Sequence, residues 1–178
     1  NLQAALSRIV SVVVQPGVDF SHTDVTQYSK SSAKKLVEQL SKYKDIAFEA
    51  HSTDYQPPET FLNLAKMGFA FQKVGPALTF ALRKALYAID EIVQKLSPSS
   101  VALPMVMEAA MRKNPKHWRS YYSEDDTIKW HFSYADRIRY YWPLSVVQKA
   151  VENLISTFDE LRVSKQILAK HFSPAVLD

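Results

Sequence analysis

The chain's 178 residues, 47% of them hydrophobic, suffice for a buried core but fall short of the roughly 250 that a closed eight-unit βα barrel takes. A formal charge of +4 allows an anionic partner without demanding one, and the lack of cysteine excludes a disulfide framework and a thiol nucleophile. Glycine occurs only at 17, 68 and 75, so neither a Walker-type phosphate loop nor a dinucleotide fingerprint can be written, and no nucleotide cofactor is expected.

The run Ile9-Val10-Ser11-Val12-Val13-Val14 is β-branched, reads as a buried parallel strand, and ends in Gln15-Pro16-Gly17. Ser31 and Ser32 then cap a helix whose apolar positions Ala33, Leu36 and Val37 follow helical spacing. Ile46-Ala47-Phe48 opens a second strand, and period-two alternation places Ala47, Glu49 and His51 on one face. This strand runs into Glu49-Ala50-His51-Ser52-Thr53-Asp54-Tyr55-Gln56, which carries a potential chemical group at every position except Ala50. Pro57 and Pro58 suit the start of the next helix, Phe61, Leu64 and Ala65 its stripe, and Gly68 its stop. Phe69 to Val74 is the third strand, ending in Gly75-Pro76. Leu78, Leu82, Ala85, Ile89, Ile92 and Leu96 then step by fours and threes along a helix that Ser97-Pro98 ends. Beyond residue 97 the chain reads as wholly helical. Leu103, Val106, Met107 and Ala110 mark one helix stopped at Asn114-Pro115, and Ile128 through Tyr141 form a second. Pro143 opens a third with Val147, Ala150, Val151 and Leu154 on its apolar side, and the residues after His171 read as a loose terminus.

Three successive strand–helix units predict a parallel sheet covered by helices, doubly wound or barrel-shaped, and in both architectures ligands bind at the carboxyl ends of the strands. That rule makes Glu49 to Gln56 the candidate site, with Gln15 and Lys73 as neighbours. Lys73 shares a strand face with Phe71, so it either points inward toward Glu49 or an anionic ligand, or snorkels to solvent. Glu49 and His51 are candidate metal ligands, but a catalytic zinc wants about three protein ligands and the others are not identifiable in this chain. If these are the last strands of a barrel, a phosphate would sit between Ser52-Thr53 and the helix start at Gly75-Pro76-Ala77-Leu78, with Gly75 allowing close approach. The alternative is that Gly75-Pro76 is only an efficient strand-to-helix turn. Arginines and lysines at 112, 113, 116, 119, 137 and 139 are interleaved with aromatic residues. A single-stranded nucleic-acid surface is one reading of these clusters, and packing of the helical tail is the reading adopted, so no nucleic-acid partner is expected. No run of about 18 apolar residues occurs, so no membrane span is expected and a cytoplasmic setting is the default.

The segments VVVQPGVDF (12–20), FEAHSTDYQ (48–56), KVGPALTFALRKALYA (73–88) and FSYADRIRYYWP (132–143) resemble the GatZ/KbaZ family. That family is described as the non-catalytic subunit of class II D-tagatose-1,6-bisphosphate aldolase, and its members were earlier labelled candidate tagatose 6-phosphate kinases. The resemblance implies a TIM (β/α)8 barrel whose last three units occupy residues 1–97, followed by a helical C-terminal extension over 98–178. It also implies an amino-terminal half that precedes these residues, in keeping with a chain that opens on Asn1, without methionine, close to its first strand. The implied partner is a zinc-dependent catalytic aldolase subunit, and the implied ligand a sugar phosphate. One departure is Ala135, where the family pattern leads one to expect serine before Asp136-Arg137-Ile138-Arg139. Related proteins are associated with 4-epimerisation of ketohexose phosphates, which supplies an enzymatic alternative with a divalent metal. In that alternative, position and chemistry make Glu49 or Asp54 the base and His51 a ligand or acid. Lys73 is then an electrostatic stabiliser, and Arg137 or Arg139 a phosphate contact. Kinase activity finds no support in the motifs.

Overall fold

The computed structural model describes residues 2–40, 42, 43 and 45–177. Its elements in chain order are helix α1 (Leu2–Leu6), strands β1 (Ser11–Val14), β2 (Asp19–Phe20) and β3 (Val25–Thr26), helix α2 (Lys30–Leu40), strand β4 (Ala47–Ala50), helix α3 (Pro58–Lys66) and strand β5 (Phe69–Gln72). Helices α4 (Pro76–Leu96), α5 (Leu103–Lys113), α6 (Thr127–Phe132), α7 (Ser145–Glu160), α8 (Lys165–Leu168) and α9 (Pro174–Leu177) follow, with 3-10 turns at Pro115–His117 and Arg137–Tyr141. The chain divides into two compact units, one up to Leu78 and one from Thr79 onward.

The first unit is mixed α/β. Strands β1, β4 and β5 form a parallel sheet with β4 in the centre, so strands joined by a helix lie side by side. Phe48 and Ala50 project to one face and are buried with Ala33 of α2, Leu64 of α3 and Phe69, and the Phe48 and Phe69 rings lie 5.5 Å apart. Val13, Glu49 and Phe71 are aligned on the other face, which is open. Val13 keeps 53% and Phe71 48% of its surface exposed. The reading of Ile9–Val14 as a buried run is therefore corrected. Ile9, Val10, Val12 and Val13 are exposed, because β1 pairs with β4 alone among the described residues.

Two local features differ from expectation. Helix α2 begins at Lys30, and Ser29 rather than Ser31 or Ser32 is its cap, its Oγ accepting from Ser32 N at 3.3 Å. Between β1 and α2 the chain forms an unexpected antiparallel ribbon, β2 with β3, whose turn is closed by Ser21 N donating to Asp24 O at 2.8 Å. Gly17 allows this excursion. Its φ is +82°, and a Cβ there would come within 2.3 Å of Ser32 Cβ, so a side chain would meet both backbone strain and α2 itself.

The second unit is helical. Leu86, Leu103, Met107, Trp118, Trp130 and Val147 are among the side chains of its core. The two tryptophan rings are centred 4.2 Å apart, and their indole N–H groups donate to Met111 O at 2.8 Å and Ser123 O at 3.1 Å, so neither buried donor is left open. The single helix expected over 128–141 is broken into α6 and a 3-10 turn. Asp136 adopts left-handed backbone, φ +47°, and its buried carboxylate accepts from the Arg83 guanidinium and the Thr79 hydroxyl. The tail after His171 is likewise not featureless, since Pro174–Leu177 is a short helix.

Both members of the Arg83–Asp136 pair have fully buried side chains. Removing one partner strands the other charge in the core, so Asp136→Ala lowers unfolding stability by about 3–5 kcal/mol, read from denaturant midpoints. Burial holds the His131 imidazole below its ordinary value of 6.5, against the opposing pull of Glu108. The unfolded chain then binds more protons between the two values, so the stability from neutral His131 is complete above about pH 6.5 and is lost as pH falls toward the lowered value. Over that window His131→Gln flattens the slope of stability against pH relative to the unmutated protein, measured by urea unfolding at each pH.

Candidate functional site

Two backbone hydrogen bonds carry the parallel ladder one step past the strands. His51 N donates to Val14 O and Lys73 N donates to Ala50 O, each at 2.9 Å. Since Val14, Ala50 and Gln72 share one register row, the next row is Gln15, His51 and Lys73, side by side at the carboxyl ends of three strands. This row lies on the open face, one pleat beyond Val13, Glu49 and Phe71.

The row borders a cleft of about 440 Å³, walled on its apolar side by Val13, Phe20 and Pro76. His51 Nε2 and Glu49 Oε1 are 2.8 Å apart, with both side chains roughly one-third exposed, at 27% and 30%. Gln15 Nε2 donates to Ser52 Oγ at 2.9 Å, tying the end of β1 to the loop after β4. Ser52 and Tyr55 both hold positive φ, +57° and +61°, a strained loop that persists because its neighbours fix it. Thr53, fully buried, donates its hydroxyl to Lys73 O at 2.8 Å. Gln56 accepts from Tyr28 N and donates to Thr26 O.

Asp54 has a specific task in this loop. Its Oδ1 accepts from the backbone N–H groups of Gly75 and Ala77, both at 2.8 Å, and the residue is only 3% exposed. The carboxylate therefore occupies the anion position at the amino terminus of α4, where a phosphate was expected between Ser52-Thr53 and Gly75. Lys73, expected inward or snorkelling, is exposed at the cleft rim, and the partner of Glu49 is His51.

Gln15, His51, Ser52, Asp54, Lys73 and Gly75 thus meet at one cleft, Glu49 joins through His51, and Thr53 supports the wall. Arg137 and Arg139 lie in the helical unit and have partners there. Arg137 sits over the rings of Tyr121 and Tyr140 at 4.1 and 4.6 Å and donates to His117 O, while Arg139 donates to Ala135 O at 2.6 Å. Arg112 and Arg119 pair with Glu108 and Glu124. Among the described residues no three His, Asp or Glu side chains are grouped to hold a metal ion. Glu49 and His51 offer two donors already bonded to each other, short of the three that a catalytic zinc takes. Sequence reasoning missed Phe20, which the β2–β3 ribbon brings to the cleft and which packs edge-on to Tyr55 at 5.4 Å.

Residues 1–177 match the family described as D-tagatose-1,6-bisphosphate aldolase subunit GatZ/KbaZ-like. Among solved structures, the crystal structure of a probable tagatose 6 phosphate kinase from Sinorhizobium meliloti 1021 is similar to this chain, with 43% sequence identity and a TM-score of 0.87. The match covers 94% of this chain and 45% of that one, so the chain spans less than half the length of the structure it resembles.

The cap formed by Asp54 can be tested through its charge. Asp54→Ala leaves two partly buried amides without this acceptor and lowers the stability of the first unit by about 1–2 kcal/mol. Because an anion can take the vacated position, sulfate added to the variant recovers part of that loss and has less effect on the unmutated protein, as thermal melts with and without sulfate will show.

Proposed function

The chain belongs to the GatZ/KbaZ-like family, and from that premise we propose that it is part of a subunit of the class II D-tagatose-1,6-bisphosphate aldolase complex. In this reading the subunit supports the stability and activity of the catalytic, zinc-dependent subunit in the breakdown of galactitol, N-acetylgalactosamine and tagatose 6-phosphate. It carries a sugar-phosphate site at the carboxyl ends of its strands. The observation that supports the site is the row Gln15, His51 and Lys73, which places a carboxamide, an imidazole and an ammonium group beside one cleft.

The proposed architecture is a TIM barrel, with residues 1–97 as its last three βα units and 98–178 as a helical extension. Its support is the order of the parallel sheet, β1-β4-β5, in which each strand pairs with the next strand of that sheet, as a singly wound barrel requires. A cytoplasmic setting follows from a sugar-phosphate role, and no described helix is long and apolar enough to cross a membrane.

A second reading, ketohexose-phosphate 4-epimerase acting on tagatose 6-phosphate and fructose 6-phosphate, is favoured by one observation, the Glu49–His51 pair. A carboxylate bonded to one ring nitrogen fixes the orientation of the imidazole, which suits His51 to give or take a proton at the cleft. A divalent metal would supply polarisation of the sugar oxygen, and residues outside this chain would have to complete its ligands.

The two readings separate in one set of assays on the full-length protein. As a supporting subunit it raises the melting temperature and activity of the catalytic aldolase subunit and leaves tagatose 6-phosphate unchanged by itself. As an epimerase it converts tagatose 6-phosphate to fructose 6-phosphate alone when supplied with divalent metal, and His51→Ala lowers that rate by at least about 100-fold. Neither stabilisation of the aldolase nor turnover would overturn both.

A further inference from the structure

We infer that a sugar phosphate lies across the strand ends with its hydroxyl-bearing carbons over Gln15, Ser52 and His51 and its phosphate at Lys73, away from the first turn of α4. This orientation rests on the sugar-phosphate reading and adds a direction to it.

The argument begins with the position a phosphate cannot take. The Gly75 and Ala77 amides are consumed by Asp54, and a phosphate approaching them would meet a nearly buried carboxylate of its own sign. The centre of the row is also unsuited to an anion, because Glu49 stands 2.8 Å behind His51. At the β1 end the groups are neutral. Gln15 gives one amide hydrogen to Ser52 Oγ, which leaves its carbonyl oxygen as an acceptor and the Ser52 hydroxyl as a donor. Such a mixed pair matches sugar hydroxyls, which both donate and accept, and the Val13 and Phe20 wall beside it suits carbon–hydrogen edges.

At the β5 end stands Lys73, an exposed ammonium group on the cleft rim. A compact point charge of this kind binds phosphate well. Adjacent strands lie about 4.8 Å apart, so the row spans roughly 10 Å from Gln15 to Lys73 with hydroxyl readers at one end and a cation at the other.

Calorimetric titrations of the full-length protein with tagatose 6-phosphate, tagatose and inorganic phosphate test the orientation. Gln15→Ala and Ser52→Gly, the latter chosen because glycine keeps the left-handed backbone at that position, weaken binding of tagatose and tagatose 6-phosphate by the same factor, about five- to ten-fold. Lys73→Met weakens tagatose 6-phosphate about ten-fold or more and leaves tagatose unchanged, while Lys73→Arg keeps most of the phosphate preference. Melting curves of each variant confirm that it is folded. The orientation is overturned if Gln15→Ala or Ser52→Gly weakens tagatose 6-phosphate alone, or if Lys73→Met weakens both sugars equally. Binding of neither sugar by the unmutated protein is a different result, which removes the sugar-phosphate site itself.

Discussion

The register of the parallel ladder is the constraint on which the candidate site depends. Parallel strands have evenly spaced hydrogen bonds and a side-chain period of two, so a slip of one residue would turn every side chain to the opposite face. Here Phe48 and Ala50 are committed to the helix-covered core, and that commitment alone sends Glu49 and His51 to the open face. The bonds His51 N to Val14 O and Lys73 N to Ala50 O extend the same register past the strands. The apolar packing of α2 and α3 on one side of the sheet therefore determines which polar groups meet on the other.

Aspartate carboxylates settle most of the remaining geometry. Asp54 takes the first amides of α4, Asp90 accepts from Leu103 N at the start of α5, and Asp126 accepts from Lys129 N in α6. Each satisfies backbone donors that a helix cannot satisfy for itself, and each places negative charge at the positive end of a helix dipole. Burial raises the Asp90 carboxyl above its usual range, with the bond from Leu103 acting against that shift. Asp136 differs, since its partners are side chains, Arg83 and Thr79, and its left-handed backbone breaks a helix where sequence periodicity would continue one. Carboxylates that look like chemistry in the sequence are here mostly architecture, with Glu49 the exception at the cleft.

What is legible in the sequence follows from how local its cause is. The three strand–helix units are readable because β-branched runs and 3.6-residue stripes are local patterns, and Gly68, with φ +95°, ends α3 where a glycine stop is expected. The pairing of Glu49 with His51 is readable from period-two alternation alone. The β2–β3 ribbon is not, because two-residue strands are too short to show a period. The break at Asp136 is equally hidden, because Arg83 lies 53 residues away. Asp54 reads as a base or a phosphate neighbour because nothing nearby reveals that it caps a helix whose amides lie 21 and 23 residues further on.

The open face bears on the supporting and the catalytic role alike. Val13 and Phe71 flank Glu49 while remaining about half exposed, and Gln15 and Lys73 are exposed as well. In water the attraction between a carboxylate and an imidazolium is weak, whereas in a covered site of low dielectric the same pair is far stronger and its proton more tightly controlled. Binding of a sugar can proceed on an open row of hydrogen-bonding groups, since hydroxyls exchange water for protein partners at little net change. Proton transfer by the Glu49–His51 pair needs the cover that Val13 and Phe71 are chemically prepared to meet. In the proposed barrel this face turns inward, where the remaining strands would supply that cover, so its exposure in this chain favours neither role.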